Sequence, residues 1–268
     1  ISVPPKMKII SQIILLQYQP APIKLKTLLD TVVEEKIYEA AHAILKHIQN
    51  RGTTNTICIN TILELGTPDL DTIKQYLHQD KQYLREAAIL ILEHAEPDDL
   101  LEIAFETVFK NCISSTIASR IIQNKATIQH QDKILHILKH SESFIPIRCA
   151  VKALINICGE QATPILLQEI KDNPAMPNWK KQTFYGAIIQ INQKQYQQQP
   201  LKLLQDIQPQ TNDIDLLIDA IMYDDEISTN TRNIITNAII QHLKENPPTE
   251  YDPTTIAKII RKYPITNK

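Results

Sequence analysis

Residues 63–92 read LELGTPDLDTIKQYLHQDKQYLREAAILIL, and this stretch decides the fold. Gly66 ends an apolar helical run, because glycine enters the left-handed conformation at a helix C-terminus without a Cβ penalty. Thr67 and Pro68 follow as an N-cap and a first helical residue, where proline's missing N–H has no intrahelical partner to lose. The chain turns again near Gln79 and Asp80 into a second helix whose apolar stripe is Leu84, Ala87, Ala88, Ile91 and Leu92. The spacing predicts a helical hairpin.

Toward the N-terminus, Ser2, Pro4 and Pro5 open a helix with the apolar face Ile9, Ile10, Ile13, Ile14 and Leu16, and Pro20 and Pro22 interrupt it. Helices are predicted over 23–35, 36–49 and 54–65, with Asn50, Arg51 and Gly52 as a stop signal. Toward the C-terminus, helices are predicted over 98–110, 114–123, 131–140 and 143–158. There Gly159 with Thr163 and Pro164 repeats the stop and start signals of the opening stretch. Residues 172–177 read as an expanded turn before a helix carrying Trp179, Phe184, Ile188 and Ile191. The glutamine-rich run 193–200 reads as a mobile polar connection, and helices follow over 201–208, 213–223, 228–245 and 253–262. No useful length alternates with period two, so the fold class is all-α.

The second helices of successive hairpins align: Leu84, Arg85, Glu86 and Ala87 fall on Ile147, Arg148, Cys149 and Ala150. Lys181 and Arg232 take the arginine position in later copies. A single hairpin is too small to bury its own apolar face, whereas stacked neighbours share one continuous core. The glycine, the threonine-proline pair, the turn Asp80 and the Leu84, Arg85 and alanine sequence resemble the HEAT-repeat family. The resemblance covers 63–92 and 131–191 well and 228–243 tolerably, and it is faint before 54 and over 98–129. It implies an α-α superhelix of about five to six stacked hairpins, as a single domain over 1–268 with 1–53 a divergent N-terminal cap and 247–268 a capping helix. It also implies that Asp80 with Arg85, Arg148, Lys181 and Arg232 forms a ladder of hydrogen bonds between adjacent repeats.

Composition removes several chemistries. The chain has four glycines, Gly52, Gly66, Gly159 and Gly186, and no two are neighbours. A phosphate-cradling loop, a dinucleotide fingerprint and a GxSxG nucleophile elbow are therefore excluded. A formal net charge of −2 creates no general attraction to nucleic acid or anionic membrane, and none is expected as a partner. Cys58, Cys112, Cys149 and Cys158 have neither metal-ligand spacing nor a disulfide framework and read as free thiols of a reducing, cytoplasmic setting. No apolar run reaches membrane-spanning length, while a signal peptide or membrane anchor ahead of Ile1 stays compatible with the sequence.

The remaining candidates weigh toward structure. His136 and His140 have i, i+4 spacing, but no HExxH pattern accompanies them and His136 is expected to face solvent, so neither metal nor cofactor is expected. Asp224, Asp225 and Glu226 lack the glycine and alternating oxygens of a calcium loop and read as the end of one helix and the turn to the next. Gly186, well inside a helix, costs about 1 kcal/mol relative to alanine and implies close approach of a neighbouring helix. The polar residues Glu86, Glu93, Lys152, Asn156, Gln182, Tyr185, Asn233 and Thr236 recur on one edge of the second helices. Each is individually explained as a solvated helix face, but together they are expected to form a strip along a concave inner wall. The expected function is a non-enzymatic scaffold binding a protein or peptide partner there. The alternatives are a helical-repeat enzyme, resembling HEAT-like DNA glycosylases or phycobilin lyases, and the cytoplasmic part of a membrane-tethered adaptor. With one tryptophan and 5% aromatic residues, the chain is a poor match to a basic, aromatic DNA cleft.

Overall fold

A computed structural model of the chain describes residues 4–15, 22–51, 56–66, 69–109, 113–209, 213–245, 257 and 261. All regular structure among them is helical, and no strand occurs there. The expected single array divides into two compact units, Ile1–Lys125 and Ala126–Lys268.

The first unit contains α1 (Pro5–Leu15), α2 (Pro22–Glu34), α3 (Ala40–Arg51), α4 (Thr56–Glu64), α5 (Leu70–Tyr76), α6 (Gln82–Ala95), α7 (Leu100–Thr107) and α8 (Ile113–Lys125). Pro5 opens α1 as the sequence predicts, and Pro22, expected only to interrupt the preceding helix, is itself the first residue of α2. Helix α3 starts four residues late, because Lys36 takes a positive φ of 51° and the chain reverses before Ala40. In the deciding stretch, Gly66 has φ 92°, and Leu84, Ala87, Ala88, Ile91 and Leu92 are fully buried. The cap of α5 differs from the expected one. Asp69 accepts from the Asp71 and Thr72 backbone N–H groups at 3.4 and 3.2 Å and from Thr72 Oγ1 at 2.7 Å. Those hydrogen bonds hold its carboxyl below the usual range. Helix α6 is packed by α3, α4, α5 and α8. Burial pushes the Cys58 thiol on α4 up to about 11, which keeps it an inert thiol.

The second unit contains α9 (Gln131–His140), α10 (Phe144–Cys158), α11 (Ala162–Asp172), α12 (Asn178–Ile191), α13 (Gln193–Gln198), α14 (Lys202–Ile207), α15 (Asp213–Tyr223) and α16 (Thr229–Glu245). Pro146 fits inside α10 because it lies in the first turn, where N–H groups have no intrahelical acceptor. Helix α11 starts at Ala162 after a 3-10 turn, so Thr163 lies within the helix instead of capping it, and its hydroxyl accepts from Asn192 Nδ2 at 2.9 Å. The glutamine-rich run is largely helical, α13, and its Tyr196 is fully buried. Helices α10, α12 and α15 pack side by side, with α11 against α12 and α16 against both α13 and α15.

Thr67, Pro68, Cys112, Ser2 and Gly52, together with most of the expected helix 253–262 and cap 247–268, lie outside the described residues. Cys58, Cys149 and Cys158 are free thiols. Among the described residues no helix is long and apolar enough to cross a membrane.

Candidate functional site

The second unit holds a groove of about 220 Å³ built by the faces of three helices. Helix α10 supplies Phe144, Arg148, Val151 and Lys152, at i, i+4, i+7 and i+8, which is one helical face. Helix α12 supplies Trp179, Gln182, Thr183, Ala187 and Gln190 on the same principle. The end of α15 supplies Ala220 and Tyr223, and the turn after it supplies Asp224, Asp225 and Glu226.

Gly186 makes this convergence possible. A Cβ built there would lie 2.3 Å from Asp224 Oδ2, so the turn after α15 settles onto α12 only because no side chain intervenes. The close approach is made by an acidic side chain of a turn and not by the neighbouring helix that the interior glycine implied. The turn is then held from several directions. Asp224 Oδ1 accepts the Glu226 N–H at 2.9 Å, and Arg232 Nη2 donates to the Asp224 carbonyl at 2.5 Å. Gln193 Nε2 donates to the Glu226 carbonyl at 3.0 Å, while Gln193 Oε1 accepts from Ser228 N and Thr231 Oγ1 at 3.4 and 3.3 Å. Gln197 Nε2 donates to Thr231 Oγ1 at 2.5 Å. The run that reads as a mobile connection is thus a helical buttress for this turn.

Aromatic surface lines one part of the groove. Phe144 and Trp179 meet edge to face, with centroids 6.1 Å apart and planes at 67°. Phe144 is 50% and Tyr223 69% exposed, an unusual display for side chains of this size. Opposite charges close another part: Lys152 Nζ donates to Glu226 Oε1 at 2.6 Å, joining α10 to the turn after α15. That hydrogen bond and the lysine's charge hold the Glu226 carboxyl below its ordinary range.

A second cavity of about 460 Å³ lies beside α11 and α12, with Lys181, Tyr185 and Asp213 in its wall. Lys181 Nζ sits 3.3 Å from both Asp213 carboxylate oxygens, and the Tyr185 hydroxyl donates to Asp213 Oδ2 at 3.4 Å. All three are buried. Burial, together with the carboxylate, pushes the Tyr185 phenol far above its ordinary range, so it stays neutral. The neighbouring Lys180 is buried as well, and its Nζ donates at 3.4 Å to the carbonyls of Lys139 and Ser141 at the C-terminal end of α9. These are structural uses of charge.

The expected ladder takes several different forms. Arg85 Nη1 donates to the Gln79 carbonyl at 2.6 Å and makes no ion pair with the exposed Asp80. Arg232 likewise clamps a backbone carbonyl of the turn preceding its helix. Arg148 is exposed in the groove wall, and Lys181 is buried against Asp213. A carbonyl in the preceding turn lies within reach of each clamping arginine, and that satisfies a backbone acceptor locally.

The residues of the expected polar strip fall in both units, and those of the second unit do not share one exposed face. Glu86 and Glu93 belong to the first unit, where Glu93 accepts Arg120 Nε and Nη2 at 3.2 and 2.5 Å. In the second unit, Lys152 and Gln182 enter the groove, and Asn156 and Asn233 are exposed but do not line it. Tyr185 is 1% exposed instead of outward, and Thr236 is buried with its hydroxyl 3.6 Å from Met222 Sδ. Both belong to helices covered on more than one side, where a polar residue can point inward if it finds an acceptor. Sequence reasoning missed Phe144, Trp179 and Tyr223 as a group, since isolated aromatics have no period to announce them.

His136 and His140 stack with centroids 4.4 Å apart, and both are exposed. Among the described residues no group of three or more His, Cys, Asp or Glu side chains could hold a metal. Comparison with protein-family models, curated proteins and solved structures gives no match.

Proposed function

We propose that this chain is a non-enzymatic helical-repeat scaffold of the HEAT-like kind, whose second helices form an inner wall that binds a protein or peptide partner. The observation that carries the reading is the groove of α10, α12 and α15, where three exposed or half-buried aromatics converge beside a turn held rigid by Gln193, Arg232 and Asp224. Large aromatics on rigid elements are the anchors of protein interfaces, because they bury area with little loss of side-chain freedom. The side-by-side packing of α10, α12 and α15 supports the repeat reading, since hairpins that share a wall are what such arrays repeat.

Site-specific photo-cross-linking tests this. A photoreactive side chain at Gln182, in the groove, is expected to give a discrete adduct with a native partner, and the adduct should disappear on Phe144→Ser with Tyr223→Ser. The same probe at the exposed Gln129, before α9, should give none. Equal adducts from both positions, or an adduct indifferent to the loss of the aromatics, would remove the groove as the binding site.

A further inference from the structure

We propose that the groove of α10, α12 and α15 receives the guanidinium of an arginine in an extended peptide. The inference rests on the reading of that groove as a binding site and adds the chemistry of its occupant.

Size limits the occupant first. At about 220 Å³ the groove is smaller than the several hundred Å³ usual for cofactor and drug-sized sites. A side chain or two of a peptide fills it.

Charge then gives the sign. The lining carries two cationic groups, Arg148 and Lys152, and three carboxylates, Asp224, Asp225 and Glu226. Lys152 and Glu226 neutralise each other at 2.6 Å. With Arg148 on α10 counted, the lining holds three carboxylates against two cations, a local excess of one negative charge. Asp224 uses Oδ1 to accept the Glu226 N–H, and its Oδ2 is turned toward Gly186 at the bottom of the turn. Asp225 is exposed and forms no ion pair among the described residues.

The aromatic wall selects among cations. Trp179, Phe144 and Tyr223 line the same groove as those carboxylates, with Phe144 and Trp179 edge to face. A cation over an aromatic face within about 6 Å is attracted by the ring quadrupole, and tryptophan is the strongest partner. A guanidinium can lie flat on a ring while its edge forks onto a carboxylate, which a compact, strongly hydrated ammonium cannot do. The groove is lined by both aromatic rings and carboxylates, so arginine fits it better than lysine.

Trp179 is the chain's single tryptophan and reports on the groove directly. The experiment titrates Trp179 emission, with calorimetry in parallel, using acetylated pentapeptide amides Ser-Gly-Xaa-Gly-Ser in which Xaa is Arg, Lys, Leu or Glu. The Arg peptide is expected to saturate, with Lys weaker and Leu and Glu at least about tenfold weaker. Asp225→Asn, which removes charge at an exposed position and keeps shape, should weaken the Arg peptide by about threefold to tenfold and leave the circular dichroism unchanged. A Leu or Glu peptide binding as tightly as Arg, or full Arg affinity in Asp225→Asn, overturns the arginine assignment while the groove stands as a peptide site. Saturation by none of the four peptides in either measurement overturns the assignment and the groove together.

Discussion

Helices α6 and α12 have the same length, 14 residues, and the same place as second helices of their hairpins, yet they use polar residues in opposite ways. On α6 the buried set is apolar throughout, and Arg85, Glu86 and Glu93 stay at its half-buried margins. On α12, Lys180, Lys181, Tyr185 and Gly186 are buried together with Phe184, Ile188 and Ile189. Both helices are packed by four neighbours, α6 by α3, α4, α5 and α8 and α12 by α10, α11, α13 and α15, so the difference lies in the acceptors that reach α12: Asp213 for Lys181 and Tyr185, and the carbonyls of Lys139 and Ser141 for Lys180. The difference teaches that an alignment of equivalent positions transfers secondary structure but not exposure. Arg85 and Lys181 share an alignment column. One clamps a turn carbonyl near the surface, and the other is sealed against a carboxylate.

The comparison breaks most readily at the buried pair. Lys181→Ala leaves Asp213 buried without its cation and is expected to cost about 3 to 5 kcal/mol in urea unfolding. Replacing both partners, Lys181→Met with Asp213→Leu, should recover most of that loss, because two desolvated charges are removed together. Arg85→Ala on α6 removes only the bond to the Gln79 carbonyl and should cost about 1 to 2 kcal/mol. Equal losses at the two positions would mean that burial does not separate them.

Gly186→Ala sharpens the comparison at intermediate size. The new Cβ displaces the Asp224 carboxylate and breaks its bond to the Glu226 N–H. The helix gains about 1 kcal/mol of propensity, so net stability should move by less than about that amount, whereas Trp179 emission and peptide affinity change clearly.

Acid gives a third test. The Glu226 carboxyl is held below its ordinary value by Lys152, so this clamp stabilises the native turn at neutral pH. Its contribution is complete above the unfolded-state glutamate value of about 4.3 and is lost as pH falls through the lower, folded-state value. Trp179 emission should therefore change on acidification below about pH 4, and Lys152→Met should move the midpoint upward. An unchanged midpoint would detach the ion pair from the groove. The smallest effect belongs to α6: Glu93→Gln, losing an exposed pair with Arg120, should cost at most about 1 kcal/mol by the same urea measurement.

Much of the fold was legible without coordinates. Helix α9 and helix α15 have the predicted bounds, 131–140 and 213–223, because apolar periodicity and end signals are encoded within a few residues of each other. The glycine inside α12 announced a close approach but not that a turn side chain makes it, and Asp224, Asp225 and Glu226 read correctly as a helix end and turn. The candidate site was legible only in fragments, Lys152 and Gln182.

The sequence by itself determined the all-helical class, the apolar stripe of α6 and the reversal at Gly66, since each depends on neighbours within about one or two helical turns. Tertiary structure alone decided the groove, the conversion of the glutamine run into the buttress α13, and the burial of Lys181 and Tyr185. Those outcomes depend on partners far apart in the chain, such as Lys152 and Glu226, 74 residues apart, or Lys181 and Asp213, 32 apart. A polar side chain carries no local mark of whether a distant carboxylate will arrive to satisfy it.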